Sequence, residues 1–161
     1  MSNTTTSYLP PGLPAPVPES DDLSKPFWDG LRDNRLRVQR CTHCGTWQFG
    51  PEWICHRCHA YDPAWVDVAP SGLIHSWERV WHPSHASLKG HGPYLVVLVE
   101  LPEAGSVRLL GNLLGDPLQD VRIGAAVHGV FEHHTQPFAY SLLQWQTNYT
   151  LSRVLAPTRD R

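Results

Sequence analysis

The sequence predicts a mainly β protein, with a short N-terminal helix, a four-cysteine zinc ribbon and a C-terminal five-stranded barrel of OB type. Three observations carry this prediction: four cysteines in two Cys-x2-Cys pairs, one short amphipathic segment before them, and five strand-like runs after them. The 161 residues suffice for one main core, because a chain of about 150 residues buries roughly 70% of the surface exposed by its unfolded form. Changes in texture suggest a proline-rich arm over 1–22, helix and ribbon over 23–70, the OB domain over 71–147 and a tail over 148–161.

The arm contains Pro10, Pro11, Pro14, Pro16 and Pro18, which lack backbone donors and favour an extended, polyproline-like course. Such a segment is either plain disorder or an arm that wraps a partner subunit. Next, Ser24 is placed to cap a helix whose first turn tolerates Pro26. Phe27, Trp28 and Leu31 form its apolar side, and Asn34 helps to end it. A helix of about ten residues is marginal alone, so its aromatics must dock on the ribbon or on another chain.

Leu36 and Val38 lead into the cysteine segment, which closes on the turn Tyr61-Asp62-Pro63 and the strand-like Trp65-Val66-Asp67-Val68. From Gly72 onwards, the runs 73–81, 94–101, 107–113, 126–133 and 138–146 are rich in Val, Leu, Trp, Tyr and Phe, with Gly, Pro and Asp between them. Five short strands with one brief turn or helix at 116–120 suit a Greek-key barrel. Periodicity alone also fits a mixed sandwich.

Cys41-x2-Cys44 and Cys55-x2-Cys58 are separated by ten residues, and each pair supplies two thiolates to one tetrahedron. The two-residue spacer lets backbone amides turn towards the sulfurs, and Gly45 suits the tight turn after Cys44. The alternatives are a disulfide pair, a redox dithiol or an iron–sulfur cluster. A redox dithiol is usually a single such motif beside a βαβ pattern, which this sequence lacks. Four thiolates also leave no open position for water or substrate, so the expected Zn2+ is structural. His43, His56 and His59 lie beside the ligands, but the complete cysteine set makes substitution by them unnecessary.

In this order, the segments resemble the zinc-ribbon/OB-fold acyl-CoA-associated protein family, accessory subunits of thiolase-like enzymes. The landmarks are Phe27-Trp28-Asp29-Gly30-Leu31, Cys41-Thr42-His43-Cys44-Gly45, Cys55-His56-Arg57-Cys58 and Gly72-Leu73-Ile74-His75-Ser76-Trp77. Pro93-Tyr94-Leu95-Val96-Val97, Ile123-Gly124-Ala125-Ala126-Val127 and Val130-Phe131-Glu132 continue the likeness, which covers about residues 23–145. The resemblance implies a rubredoxin-like ribbon and a non-catalytic subunit that supports a thiolase or retro-aldolase partner, or an acyl-CoA hydratase, in handling CoA thioesters. It further implies an α2β2 heterotetramer, with the barrel bordering the CoA or acyl channel and the ribbon and helix at the subunit interface.

Candidate CoA contacts are fewer and weaker. The loop 82–92 carries three histidines, one lysine and two glycines, so Lys89 is the best single contact for a CoA phosphate, with His91 close by. Trp77 and Trp81 alternate with Arg79 on one strand face, where stacking on adenine competes with a simple core or interface cluster. Arg108 and Asn112 could face a ligand from the third barrel strand. A metal at His128, His133 and His134 is disfavoured, because the adjacent pair point to opposite sheet faces. Trp28, Trp47, Trp53 and Trp65 cluster around the ribbon, as either a partner surface or an internal mini-core.

No catalytic residue set emerges. The chain has no Gly-x-Ser-x-Gly elbow, phosphate-binding glycine loop or His-Glu-x-x-His motif, and no cysteine remains free for acyl transfer. Lys+Arg 13 against Asp+Glu 15 gives a net charge of -2, with no basic stripe. That balance argues against the other common use of ribbons and OB barrels, binding single-stranded nucleic acid. The run 94–99 is far short of the roughly 20 residues needed to span a membrane, no signal peptide is visible, and the expected compartment is the cytoplasm.

Overall fold

The computed structural model describes residues 13, 15–19 and 21–147. Most of the expected arm (1–12, 14 and 20) and the expected tail over 148–161 lie outside the described residues.

Helix α1 spans Lys25–Arg32, with Pro26 in its first turn and Phe27, Gly30 and Leu31 buried. Lys25 and Arg32 both pair with Asp29 on its outer side. Ser24 does stand at the N-cap position, but its hydroxyl does not cap. Its backbone is already near helical, so the hydroxyl instead donates to Asp21 Oδ2 at 2.7 Å and accepts from Trp28 Nε1 at 3.1 Å. The helix ends as expected: Asn34 adopts a left-handed φ of 57°, and the Arg35 amide returns to the Gly30 carbonyl at 2.8 Å.

Strands β1 (Leu36–Arg40), β2 (Trp47–Gln48) and β3 (Ala64–Val68) form an antiparallel sheet in the order β2-β1-β3. The barrel follows as β4 (Ser71–Val80), β5 (Tyr94–Leu101), β6 (Val107–Asn112), β7 (Ala126–His134) and β8 (Tyr140–Thr147). Its order is β6-β5-β4-β7-β8, and a parallel bridge between Leu113 and Trp145 brings the two outer strands together. That bridge closes the sheet on itself and selects the OB barrel over the sandwich. Residues 116–120 form a turn, not a helix.

Alternation makes the core. Along β5, Leu95, Val97, Val99 and Leu101 point inward and are buried, while the residues between them are half exposed. Phe27 and Leu31 of α1 and Leu36 and Val38 of β1 join the same cluster as Ile74, Val97 and Trp145, so helix, ribbon sheet and barrel share one core. Trp28, Trp47 and Trp65 pack against it, whereas Trp53 is 55% exposed. Gly105, at φ 63°, lies so close to Trp47 that a Cβ there would stand 2.7 Å from its ring. The turn after β5 is thereby fitted to the ribbon.

A register shift in β4 sets the face of its aromatics. Ile74 pairs with buried Val99, but Ser76 pairs with Leu98, so His75 is bulged out. After this bulge Trp77 pairs with Val97 and Arg79 with Leu95, which puts both on the face of those buried residues, although Trp77 at the barrel's end stays 37% exposed.

Candidate functional site

The two knuckles bring Cys41, Cys44, Cys55 and Cys58 together, with all four Sγ atoms within 4.8 Å of one another. Cys41 lies 3.6 Å from Cys58, and Cys44 lies 3.6 Å from Cys55. These separations are far too long for disulfides. They fit a tetrahedron around Zn2+, whose sulfur–sulfur edge is about 3.8 Å for a Zn–S bond of about 2.3 Å. Backbone amides converge on the sulfurs, from Cys44 to Cys41 Sγ at 3.5 Å and from Arg57 to Cys55 Sγ at 3.4 Å. Gly45 takes the left-handed φ of 73° that turns the first knuckle.

Crowding four thiols splits their acidities. Hydrogen bonds from the Thr46 side chain and amide lower Cys44 to about 6. At Cys58 the Ala60 amide pulls downward, yet burial and the three neighbouring sulfurs push the thiol up to about 12. A dication is what allows all four to be thiolates together. Zinc bound here holds the two knuckles in place and has no open position for chemistry.

Sequence reasoning missed the pair that supports the second knuckle. Gln39 and Gln48 oppose each other across β1 and β2, both buried, with Gln48 Nε2 donating to Gln39 Oε1 at 3.0 Å. Gln39 then holds both the amide and the carbonyl of Glu52, at 2.9 and 3.1 Å. Gln48 Oε1 accepts the His56 amide at 3.2 Å, next to Cys55. A strand glutamine reads as an outward polar residue, so no sequence signal marked these two.

The candidate ligand contacts are not all brought together. Lys89 and His91 are exposed on the β4–β5 loop, behind a 3-10 turn at Ala86–Leu88, and Trp81 is 56% exposed at its start. Arg79 lies near them in the fold, but its Nε and Nη2 donate to the Pro117 and Gln119 carbonyls at 2.9 and 2.7 Å while its guanidinium covers Trp77. Asn112 is bound to Gln144 at the seam between β6 and β8. Arg108 sits four residues away, about 13 Å along the strand, and pairs with Glu100 at 3.3 Å. Trp81, Lys89 and His91 are thus all exposed along one loop, and Arg108 lies towards the other end of its strand. Among the described residues, the four cysteines are the one cluster able to hold a metal, and His133 instead links Ser141 and Asn34.

Two family models match this architecture in register: the rubredoxin-like zinc ribbon domain of ChsH2 over residues 28–62 and its C-terminal OB-fold domain over residues 65–132. The chain is a member of the ChsH2 zinc-ribbon and OB-fold family. A solved ChsH2-type relative, described as Ltp2-ChsH2(DUF35) aldolase, is 28% identical with a TM-score of 0.69, over 81% of this chain and 98% of that one. A DUF35-family protein from Sulfolobus solfataricus, 17% identical with a TM-score of 0.57 over 79% of this chain and 86% of that one, shares the fold.

Two curated relatives are longer. A protein of Thermomonospora curvata described as a probable enoyl-CoA hydratase alpha subunit is 34% identical over 76% of this chain and 37% of that protein. The 3-oxo-4,17-pregnadiene-20-carboxyl-CoA hydratase alpha subunit of Mycobacterium tuberculosis is 27% identical over 86% of this chain and 46% of that protein. The chain therefore spans less than half the length of these curated relatives. No helix among the described residues is long and apolar enough to cross a membrane.

Proposed function

We propose that this chain is a non-catalytic accessory subunit of a thiolase-like complex, a thiolase or retro-aldolase, that acts on CoA thioesters. The observation that carries this reading is the near-complete cover of one neighbour: 98% of the ChsH2-type chain in the Ltp2-ChsH2(DUF35) aldolase aligns with this one. A four-thiolate site with no open position for substrate supports placing the chemistry in the partner. Trp53 on the second knuckle and Trp81 beside the β4–β5 loop give the partner exposed aromatic anchors. Lys89 and His91 then meet the CoA phosphates from the same loop, and an α2β2 heterotetramer in the cytoplasm is the assembly.

The experiment is co-expression with a thiolase-fold protein encoded beside this chain. The expected result is one co-purifying complex that cleaves or forms a carbon–carbon bond in a CoA thioester, with each subunit inactive alone. Lys89→Ala is expected to raise KM for the thioester and leave assembly intact. A chain that stays alone beside every such neighbour overturns the proposal.

A second reading is favoured by the two longer relatives, both described as hydratase alpha subunits. In it the partner adds water to an enoyl-CoA. Assaying the reconstituted complex for hydration separates the two.

A further inference from the structure

Glu132, on β7, is a carboxylate placed inside the barrel wall, with 1% of its surface exposed. Such a group is unfavourable unless its charge and lone pairs are met. Oε2 accepts from Gln144 Nε2 at 2.8 Å. Oε1 faces His134 Nε2 at 3.1 Å, but the two are out of line for a hydrogen bond, so each is left unsatisfied among the described residues. His134 in turn stacks on Tyr140, with ring centroids 4.7 Å apart and planes 13° from parallel. The imidazole plane is therefore set on one side by the Tyr140 ring, and its Nε2 faces a buried carboxylate without a hydrogen bond.

This arrangement favours one tautomer. An ionised carboxylate 3.1 Å from Nε2 favours a proton there, and in the neutral ring that leaves Nδ1 as the acceptor. Because Nε2 is buried while the side chain keeps 18% exposure, the ring's open edge is the one turned away from Glu132. That edge borders a cavity of about 420 Å3 walled by Leu13, Ala15, Val17, Gln136 and Pro137, with Tyr140 beside it. The volume lies within the roughly 300–1,000 Å3 of small-molecule sites, and mostly apolar walls with a few placed polar atoms are their usual lining.

We propose that this cavity binds a small uncharged hydroxyl compound with an apolar body, whose hydroxyl donates to His134 Nδ1. Glu132 is the positioning residue: held by Gln144, its carboxylate faces Nε2 and favours the proton there by charge rather than by a hydrogen bond. Its charge behind the ring selects against carboxylates and phosphates. The site lies by the β7–β8 turn, away from the loop that carries Lys89 and His91, and it stands whether or not the chain serves a thiolase-like partner.

The test titrates the zinc-loaded full chain, 15N-labelled, with cyclohexanol and separately with cyclohexanecarboxylate, and follows the imidazole nitrogens and the Val17 methyls by NMR. Cyclohexanol is expected to shift His134 Nδ1 saturably, and the carboxylate to bind at least about tenfold more weakly. His134→Phe keeps the stacked ring and removes Nδ1, and is expected to weaken cyclohexanol about tenfold in the methyl shifts, a ratio typical of one lost hydrogen bond. Glu132→Gln is expected to weaken binding and to mix the two His134 tautomers. No saturable shift, unchanged affinity in His134→Phe, or a carboxylate that binds as well as the alcohol overturns the proposal. If Glu132→Gln fails to fold, His134→Phe decides alone.

Discussion

Gln144 on β8 holds Asn112 on β6 through a single oxygen: Oε1 accepts both the backbone N–H and the side-chain amide of Asn112, at 2.9 and 3.1 Å. Its amide nitrogen meanwhile donates to Glu132 Oε2. Replacing Gln144 by Leu leaves a strand N–H and a buried carboxylate oxygen without partners, at about 1–3 kcal/mol each. Gln144→Leu should therefore lower the unfolding free energy by about 2–6 kcal/mol in urea titrations, with the m-value unchanged.

Gly105→Ala should be felt across the ribbon and the barrel together. The new methyl is strained at φ 63° and meets the Trp47 ring at 2.7 Å. An expected loss of about 1–3 kcal/mol would lower the Tm by several degrees, with Trp47 fluorescence altered in the native state.

Cys44→Ser should bring the chain below one zinc per molecule, measured by elemental analysis, and abolish partner capture before any effect on catalysis. The sign of the pH dependence follows from the thiols. Cys58, up at about 12 in the metal-free cluster, must lose its proton when zinc binds, so apparent affinity should fall as the pH falls. Competition with a chromophoric chelator measures it. Partner binding that persists in metal-free protein would show that the ribbon does not build the interface.

Gln48→Ala removes the acceptor of the His56 amide beside Cys55 and the donor to Gln39. Supporting residues around a metal are worth about 10–100-fold in affinity, so a loss of about tenfold in zinc affinity is expected in the same assay. Stoichiometry should remain one.

Which of these features were legible follows from what sequence encodes. The strand runs could be read because Leu95, Val97, Val99 and Leu101 alternate without interruption, and the cysteine spacing marks its own geometry. Trp77 and Arg79 were correctly placed on one face, but the bulge at His75 decides which face, and a one-residue slip has no periodic signature. Arg79 looked free to face a ligand beside Trp77 and Trp81. Its use in holding the 117–119 carbonyls depends on a contact 38–40 residues away along the chain, which no local pattern reports. Gln39, Gln48, Glu132 and Gln144 went unmarked for the same reason, since a buried polar side chain is identified by its partners.

The parallel bridge between Leu113 and Trp145, with Gln144 beside it, has a bearing on how this molecule meets others. An open sheet offers a row of unused amides and carbonyls to any extended peptide, and with it the hazard of filament growth. In this barrel the row is interrupted where the Leu114 amide meets the Trp145 carbonyl and Gln144 takes the Asn112 amide. Along that seam a partner must recognise the barrel by the shape and chemistry of its side chains, and a variant that parted β6 from β8 there would trade selective recognition for indiscriminate strand addition.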